Sequence, residues 1–366
     1  MSTNSEFIEL ITPKNLGIIS DAKFSRNQQD QLLVSTWCNR ILLYNCKSFI
    51  NYPHQEPTTH PIYTFDTAET PLCLLYPGNS NSPIVGSLDG SIRELDFENM
   101  KLGSNFGKEL VDDSCHINGI NNICQGSNHT VIASSFNKEL QALDQRQQKP
   151  IAVYKNKQKI LTMDSNDKYL ILGLAGNKIE IYNLSDLSKP VETRDVGLRF
   201  QFQDIKAFPN QEGFAIATID ARVSVEFFSP SRDVQDSKRF IFKSHRHYDK
   251  TLEIETVYPI NSLSYDKTRE MLITGGSDGY VCLWDIAKRK RMKQFKQFQT
   301  RDSQCIESVA KLDVSFDDDL LVVATSDDSF VRRRSLSEDI YARHSSRVYL
   351  KQLRESENRN PTLSSY

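Results

Sequence analysis

The chain has little that would mark a membrane, secreted or redox protein. No apolar run approaches the ~20 residues needed to cross a bilayer. The N-terminal Met1-Ser-Thr-Asn-Ser-Glu-Phe7 has neither the basic nor the apolar stretch of a secretory leader, so none is expected. Seven cysteines (Cys38, Cys46, Cys73, Cys115, Cys124, Cys282, Cys305) are odd in number, scattered and never spaced C-x-x-C. Reduced, mostly buried thiols in a cytosolic or nuclear protein are the expectation, and the sequons at Asn128 and Asn183 are then chance matches. Glycine and proline are sparse, 15 and 13 in 366 residues, which excludes collagen-like and low-complexity chains. Hydrophobic residues at 38% and aromatics at 10% exclude a disordered one. Neither sign of charge dominates, since 45 Lys+Arg oppose 47 Asp+Glu. That balance argues against a wholesale nucleic-acid or membrane-surface binder.

Catalytic and metal signatures are also thin. There is no H-E-x-x-H, no Walker A and no Cys/His cluster at metal-ligand spacing, so no catalytic residue, metal or cofactor is expected. His245-Arg246-His247 is the one dense histidine site, readable as a basic loop or as a weak zinc signal.

What is present is a repeat. Short stretches of small or β-branched residues run into an Asp/Asn-type turn and then an alternating strand: VSTWCN, VGSLDG, ASSFNK, LGLAGN, ATIDAR, TGGSDG and ATSDDS. Taking Cys38, Asp89, Asn137, Gly176, Asp220, Asp278 and Asp327 as turn residues, the intervals are 51, 48, 39, 44, 58 and 49. This is the period of a propeller blade, roughly 40 to 45 residues, with loop insertions. Six and seven positions after each turn stand Tyr44-Asn45, Leu95-Asp96, Leu143-Asp144, Tyr182-Asn183, Glu226-Phe227, Trp284-Asp285 and Arg333-Arg334. Five of these seven pairs are a large apolar residue followed by Asp or Asn, the slot of the WD dipeptide. No segment keeps a 3.6-residue apolar period long enough for a core helix. The expected fold is therefore all-β, a seven-bladed WD-repeat propeller over residues 1–334 with a polar, partly disordered tail over 335–366. An N-terminal strand in Phe7–Ile11 is expected to close the ring, because an open edge invites aggregation. Loops are expected at Tyr52–Pro61 and Ser229–Ser237. The basic stretch Lys288–Lys296 reads either as a solvated outer strand or as an anionic-partner patch or import signal.

The register also says where binding is expected. All seven turns fall on one face of the ring, and Trp37 and Phe136 immediately precede two of them. They are either peptide anchors or aromatics folded back into blade packing. In blade five, Arg222 follows the turn, and a pairing of TIDARVSVEFF with KRFIFKSHR centred on residue 233 sets it opposite Ser244 and close to Lys243. Two cations converging there suggest an anion site such as a phosphorylated side chain, unless Asp220 neutralises Arg222 locally.

The runs TIDARVSVEFF, KRFIFKSHR and YPINSLSYDKTREMLITGGSDGYVCLWD resemble the WD-repeat mitotic checkpoint proteins of the "budding uninhibited by benzimidazole" family, its third member in a fungal-like form. Weaker similarity runs through LLVSTWCNRILLY, KILTMD, GLRFQFQDIKAFP and LLVVATSDDSF, to about residue 332. The resemblance implies a non-enzymatic adaptor of the spindle assembly checkpoint, nuclear and at kinetochores in mitosis. Such proteins are monomeric propellers in hetero-complexes, with no direct nucleic-acid or membrane contact. They bind Gle-two-binding-sequence (GLEBS) motifs of a Bub-type kinase and a Mad-type checkpoint protein, and phosphorylated Met-Glu-Leu-Thr repeats of a kinetochore scaffold. By position, Trp37 matches a motif-binding tryptophan, and Arg222 and Lys243 match the phosphothreonine-reading cations with Arg246 behind them. Phe136 stands where the family has a second tryptophan. Gln203 stands where an arginine pairing with motif carboxylates is usual, and nearby Arg199 is the candidate replacement. The alternative is the related messenger-RNA export propeller, which binds a GLEBS motif at the nuclear pore; VEFF after Arg222 and the short N-terminal lead-in favour the checkpoint branch.

Overall fold

The computed structural model describes residues 6–353 except 15, 29, 47–59, 79, 81, 109–117, 128, 230, 301–304 and 329–344. Most of the Tyr52–Pro61 loop, the Arg333-Arg334 slot and most of the expected tail therefore lie outside the described residues. A short strand, β1 (Ile8–Glu9), comes first. Blade one is β2 (Ile19–Phe24), β3 (Gln31–Thr36), β4 (Arg40–Asn45) and β5 (Tyr63–Asp66). Blade two is β6 (Pro71–Leu75), β7 (Ile84–Ser87), β8 (Ile92–Asp96) and β9 (Lys101–Asn105). Blade three is β10 (Ile120–Gln125), β11 (Thr130–Ser135), β12 (Glu139–Asp144) and β13 (Ala152–Lys155). Blade four is β14 (Ile160–Ser165), β15 (Tyr169–Leu174), β16 (Lys178–Asn183) and β17 (Glu192–Asp195). Blade five is β18 (Phe202–Ala207), β19 (Gly213–Thr218), β20 (Arg222–Phe227) and β21 (Phe240–Lys243), with helix α1 (Arg232–Lys238) between the last two. A hairpin, β22 (Arg246–Asp249) and β23 (Ile254–Val257), leads into blade six: β24 (Ile260–Asp266), β25 (Met271–Gly276), β26 (Val281–Asp285) and β27 (Lys290–Gln294). Blade seven is β28 (Ser308–Val314), β29 (Leu320–Ser326) and β30 (Arg347–Gln352), completed by β1. The seven-bladed all-β ring expected from the repeat is thus the observed fold, and the N-terminal strand closes it.

The burial of each strand follows its place in the blade. Second strands such as β19 and β29 are sandwiched between neighbouring blades and buried throughout, so they read as continuous apolar runs. Fourth strands such as β13 and β17 alternate exposed and half-buried, and β27 is exposed along its whole length. The WD slot has a local cause. Asp96, Asp144, Asn183 and Asp285 end third strands, and each accepts a backbone N–H two or three residues on, from Glu98, Arg146, Ser185 and Lys288. These Asx turns start the tight hairpin into the fourth strand. Blade five has Phe227 there because its connection is a helix-bearing insertion, where only a loop was expected at Ser229–Ser237.

Blade seven corrects the expected domain boundary. Its third strand is not the segment just after Asp327 but Arg347–Gln352, which pairs with β29 from Thr325↔Arg347 to Leu320↔Gln352. Residues assigned to the tail are thus part of the ring. On its far side β30 receives β1, with Ile8 opposite Leu350 and Glu9 opposite Tyr349. Phe7 is buried at 2% exposure between Phe295 and Phe298, at centroid distances of 5.1 and 5.0 Å.

The seven first strands line the central channel, and each bulges near its start, at the second residue (Ser20, Leu72, Asn121, Leu161, Gln203 and Asn261) or at the third (Ala310). Below the bulge, carboxylates stitch four of the first strands to the next blade's backbone. Asp313 Oδ2 accepts from Phe24 N–H, Asp21 from Leu74, Asp164 from Ala207 and Asp204 from Leu263. Lys23 and Lys206 counter these carboxylates, 3.9 Å from Asp21 and 3.3 Å from Asp164. Burial works against the Lys23 ammonium, but the carboxylates of Asp21, Asp313, Asp204 and Asp164 outweigh it and hold its pKa above the ordinary lysine value.

Candidate functional site

Antiparallel pairing puts the turn between second and third strands on the same face as the link from one blade to the next. We call it the upper face. Cys38, Asp89, Asn137, Gly176, Asp220 and Asp278 all lie in such turns, and Asp327 directly follows β29. Trp37 (49% exposed) and Phe136 (45%) stand on this face, open to solvent and not folded into blade packing. Ile219 shares it, as does Phe200 (51%) in the link before β18. Sequence reasoning passed over Phe200, although it stands next to Arg199 and two residues before buried Phe202. Arg199 and Gln203 are both exposed here, Gln203 being the bulge residue of blade five and the most open of the seven. The β22–β23 hairpin, also unforeseen, rises from this face and exposes Tyr248 and Ile254.

The blade-five cations differ from expectation in their register. The ladder pairs Arg222 with Lys243, not with Ser244. The reason is side-chain facing: the observed register sets Val223 against Phe242 and Val225 against Phe240, whereas a one-residue slip would turn Lys243 onto Val223. The alternative left open for Asp220 is the one observed, since its carboxylate pairs with Arg222. Asp220 Oδ2 accepts from Arg222 Nε at 2.8 Å while its Oδ1 accepts from Thr218 Oγ1 at 2.5 Å. Asp220 is 12% exposed and Arg222 41%. The carboxylate therefore fixes the guanidinium by one edge, and the two terminal nitrogens have no protein acceptor among the described residues. Lys243 is exposed beside it with no ion pair among the described residues. Arg246 lies behind, bonded through Nη1 to Glu255 at 2.8 Å and through Nη2 to the Asp220 carbonyl at 2.9 Å.

His245 stands in the link between β21 and β22, as the loop reading expects, yet it is not exposed. It is buried at 4% exposure with Nδ1 2.8 Å from Asp278 Oδ1 and Nε2 2.8 Å from Thr274 Oγ1. Trp284 Nε1 donates to the same Thr274 oxygen at 3.2 Å. With the proton on Nδ1, donors and acceptors match along the whole chain Trp284, Thr274, His245, Asp278. A Cβ at Gly276 would lie 2.5 Å from His245 Nδ1, which is why glycine stands there. Blade seven builds a counterpart around buried Glu307, which accepts from Thr325, Tyr349 and Arg347. The zinc reading fails for His245, and no group of three or more His, Cys, Asp or Glu able to hold a metal occurs among the described residues. The stretch Gly275–Gly279 has the G-x-S-x-G form of a hydrolase elbow, but it joins two antiparallel strands, and Ser277 is 3% exposed with its oxygen held by Asn261. Among the cysteines, Cys46, Cys73, Cys124 and Cys282 are buried as expected, whereas Cys38 is exposed on the upper face beside Trp37.

The face as built offers separated aromatic anchors around the channel mouth and one oriented cation pair at its blade-five rim. Comparison with known proteins agrees with this architecture. The WD domain, G-beta repeat family matches residues 250–285. The spindle assembly checkpoint protein bub3 of Schizosaccharomyces pombe is 27% identical over 315 residues, 84% of this chain and 88% of its own length. Mitotic checkpoint protein BUB3.1 of Arabidopsis thaliana is 29% identical over 326 residues, 87% of this chain and 86% of its own. The mRNA export factor GLE2 of Chaetomium thermophilum is 23% identical over 282 residues, 76% of this chain and 74% of its own.

Proposed function

We propose that this WD-repeat propeller, whose relatives over most of its length are named Bub3 mitotic checkpoint proteins, is a non-enzymatic adaptor that joins two peptides on its upper face. Those relatives support a spindle assembly checkpoint role, nuclear and at kinetochores in mitosis. On our reading, one peptide is a GLEBS motif of a Bub-type kinase or Mad-type protein, lying over Trp37, Phe136, Arg199 and Gln203. The other is a phosphorylated Met-Glu-Leu-Thr repeat of the kinetochore scaffold, read by Arg222 and Lys243 with Arg246 in support.

The observation that carries this reading is the clamp on Arg222. Asp220 takes the Nε hydrogen and leaves the terminal nitrogens without a protein acceptor among the described residues, with Lys243 directly across the ladder. A guanidinium pre-set by one carboxylate loses little entropy on accepting a second, dianionic partner, and charged hydrogen bonds are about twice as strong as neutral ones. A surface salt bridge alone would need no second cation in register. Exposed Trp37 and Phe136 on the same face supply apolar area for a longer motif.

The test is affinity purification of the full chain from mitotically arrested and cycling cells. Arrest should enrich the kinetochore scaffold, and Arg222→Ala should remove it while keeping the kinase. Trp37→Ala should do the reverse. Recovery of nuclear-pore components and RNA in place of both would instead support the messenger-RNA export alternative, to which the more distant GLE2 relative corresponds.

A further inference from the structure

Blade six carries an outer edge unlike those of the other blades. Strand β27 reads Lys-Arg-Met-Lys-Gln and is exposed at every position, with Lys288 and Arg289 in the turn before it. The basic stretch therefore runs into an outer strand, paired with β26 from Asp285↔Lys290 to Cys282↔Gln294. Among the described residues no strand pairs with its far side. Lysines commonly guard such edges against pairing with other chains. Guarding does not account for their concentration here, because β5, β9, β13, β17 and β21 carry at most one Lys or Arg each, and β13 and β21 leave Val153 and Ile241 exposed. The cations are also held in place. Arg289 lies over the Phe240 ring at 4.9 Å, Arg291 over Trp284 at 5.9 Å and Lys293 over Phe295 at 4.8 Å. Long side chains propped on rings have less rotamer freedom left to lose on binding. Three of the cations are committed: Lys288 to Asp285 and Lys293 to Glu6, each at 2.9 Å, and Arg289 to the carbonyls of Ser237 and Lys238. Lys290 and Arg291 have no carboxylate partner among the described residues, and Met292 beside them is 48% exposed.

We propose that β27 is a docking edge for an acidic, extended segment of a partner protein, which adds a fifth strand to blade six. The free main-chain groups of the edge supply the hydrogen bonds, and Lys290 and Arg291 supply the preference for acidic side chains. The same two cations repel a second copy of this edge, so an acidic strand is selected over self-pairing. Five residues of strand span roughly 17 Å, the length of a short linear segment and far less than a folded partner needs. A nucleic acid matches the edge less well. Single strands are held by stacking on open aromatic rings, whereas Trp284 at 8% exposure and Phe295 at 2% lie beneath the cations. The edge is separate from Arg222 and Lys243, which belong to β20 and β21 of blade five.

The experiment measures fluorescence anisotropy of the full chain with a short labelled peptide alternating glutamate and threonine, at low ionic strength. Binding should weaken as salt is added, as exposed charge pairs do. Replacing both cations, Lys290→Glu with Arg291→Glu, turns two attractions into repulsions and should weaken binding about tenfold or more. Lys290→Glu alone, at an exposed position without packing to lose, should give a smaller loss in the same direction. Lys155→Glu, on the outer strand of blade three, and Arg222→Ala should leave the affinity unchanged. Two changes to the peptide separate charge from strand pairing. A glutamine-threonine peptide should bind weakly because it lacks the carboxylates, and a glutamate-threonine peptide N-methylated along its backbone should bind weakly because it cannot join the ladder. No binding of the acidic peptide, or binding that survives the Lys290 and Arg291 changes, overturns the docking edge. Full affinity of the N-methylated peptide overturns strand addition. An RNA oligonucleotide of equal charge that binds more tightly than the peptide, and is lost with the same two changes, overturns the acidic-segment partner in favour of nucleic acid.

Discussion

Arg222 and Trp37 stand on the same face but depend on different neighbours. Trp37 is held only by its turn, its backbone N–H bonded to the Ile18 carbonyl at 2.8 Å, with half the side chain in solvent. Trp37→Ala should therefore leave thermal stability unchanged and weaken GLEBS peptide binding by about 2 kcal/mol, roughly thirtyfold in Kd by calorimetry. The blade-six network behaves oppositely, being internal. Thr274→Val leaves the Trp284 Nε1 donor and the His245 ring nitrogen facing a methyl group, and should cost about 2–3 kcal/mol in denaturant unfolding with peptide affinity retained. At this scale the sequence was readable wherever the repeat supplied register. Trp37, Phe136 and Arg222 were placed by their distance from a turn residue. Two things were not readable. One was which of the two readings of Arg222 holds, since an Asp two residues before an Arg is equally compatible with an Asx turn. The other was the burial of His245, because no Gly-His pair precedes this blade and the partners Thr274 and Asp278 are about thirty residues away.

Among elements, the period served six blades and misplaced the third strand of the seventh. In blades one to six a short turn joins the second and third strands. In blade seven β29 ends at Ser326 and β30 begins at Arg347, so counting six residues from Asp327 lands in the connection. Ending the chain at residue 334 should accordingly remove β30, strand β1 without its partner, and give aggregated protein with no cooperative unfolding transition. A milder probe is Phe7→Ala, which empties the space between Phe295 and Phe298. It should cost about 3–4 kcal/mol by denaturant titration, with the transition still cooperative. The one-residue error in the β20–β21 register has a related origin. A connection containing α1 is not symmetric, so its midpoint says nothing about pairing, and inward-facing Phe240 and Phe242 decide it.

At the scale of the molecule, a net charge of -2 conceals two separate arrangements. The channel holds carboxylates that bond the next blade's backbone, with lysines among them. The upper face holds cations at the blade-five rim. Because the Lys23 pKa is raised on folding, its contribution to stability is fully present below the ordinary lysine value of about 10.4 and is lost as pH rises through the folded value. Lys23→Met should remove on the order of 3 kcal/mol near pH 8. It should remove less at mildly acidic pH, because burial holds the Asp204 carboxyl above the ordinary carboxylate range and it takes up a proton first; urea unfolding at the two pH values makes the comparison. None of this internal arrangement was visible in composition, because each Asp and Lys is meaningful only through the adjacent blade. The central claim concerns the other arrangement, and calorimetry on the full chain tests it most directly. A phosphorylated Met-Glu-Leu-Thr peptide should bind at least tenfold more tightly than its unphosphorylated form, and Arg222→Ala should erase that difference while sparing a GLEBS peptide. Equal affinity for the two forms of the scaffold peptide would contradict the account.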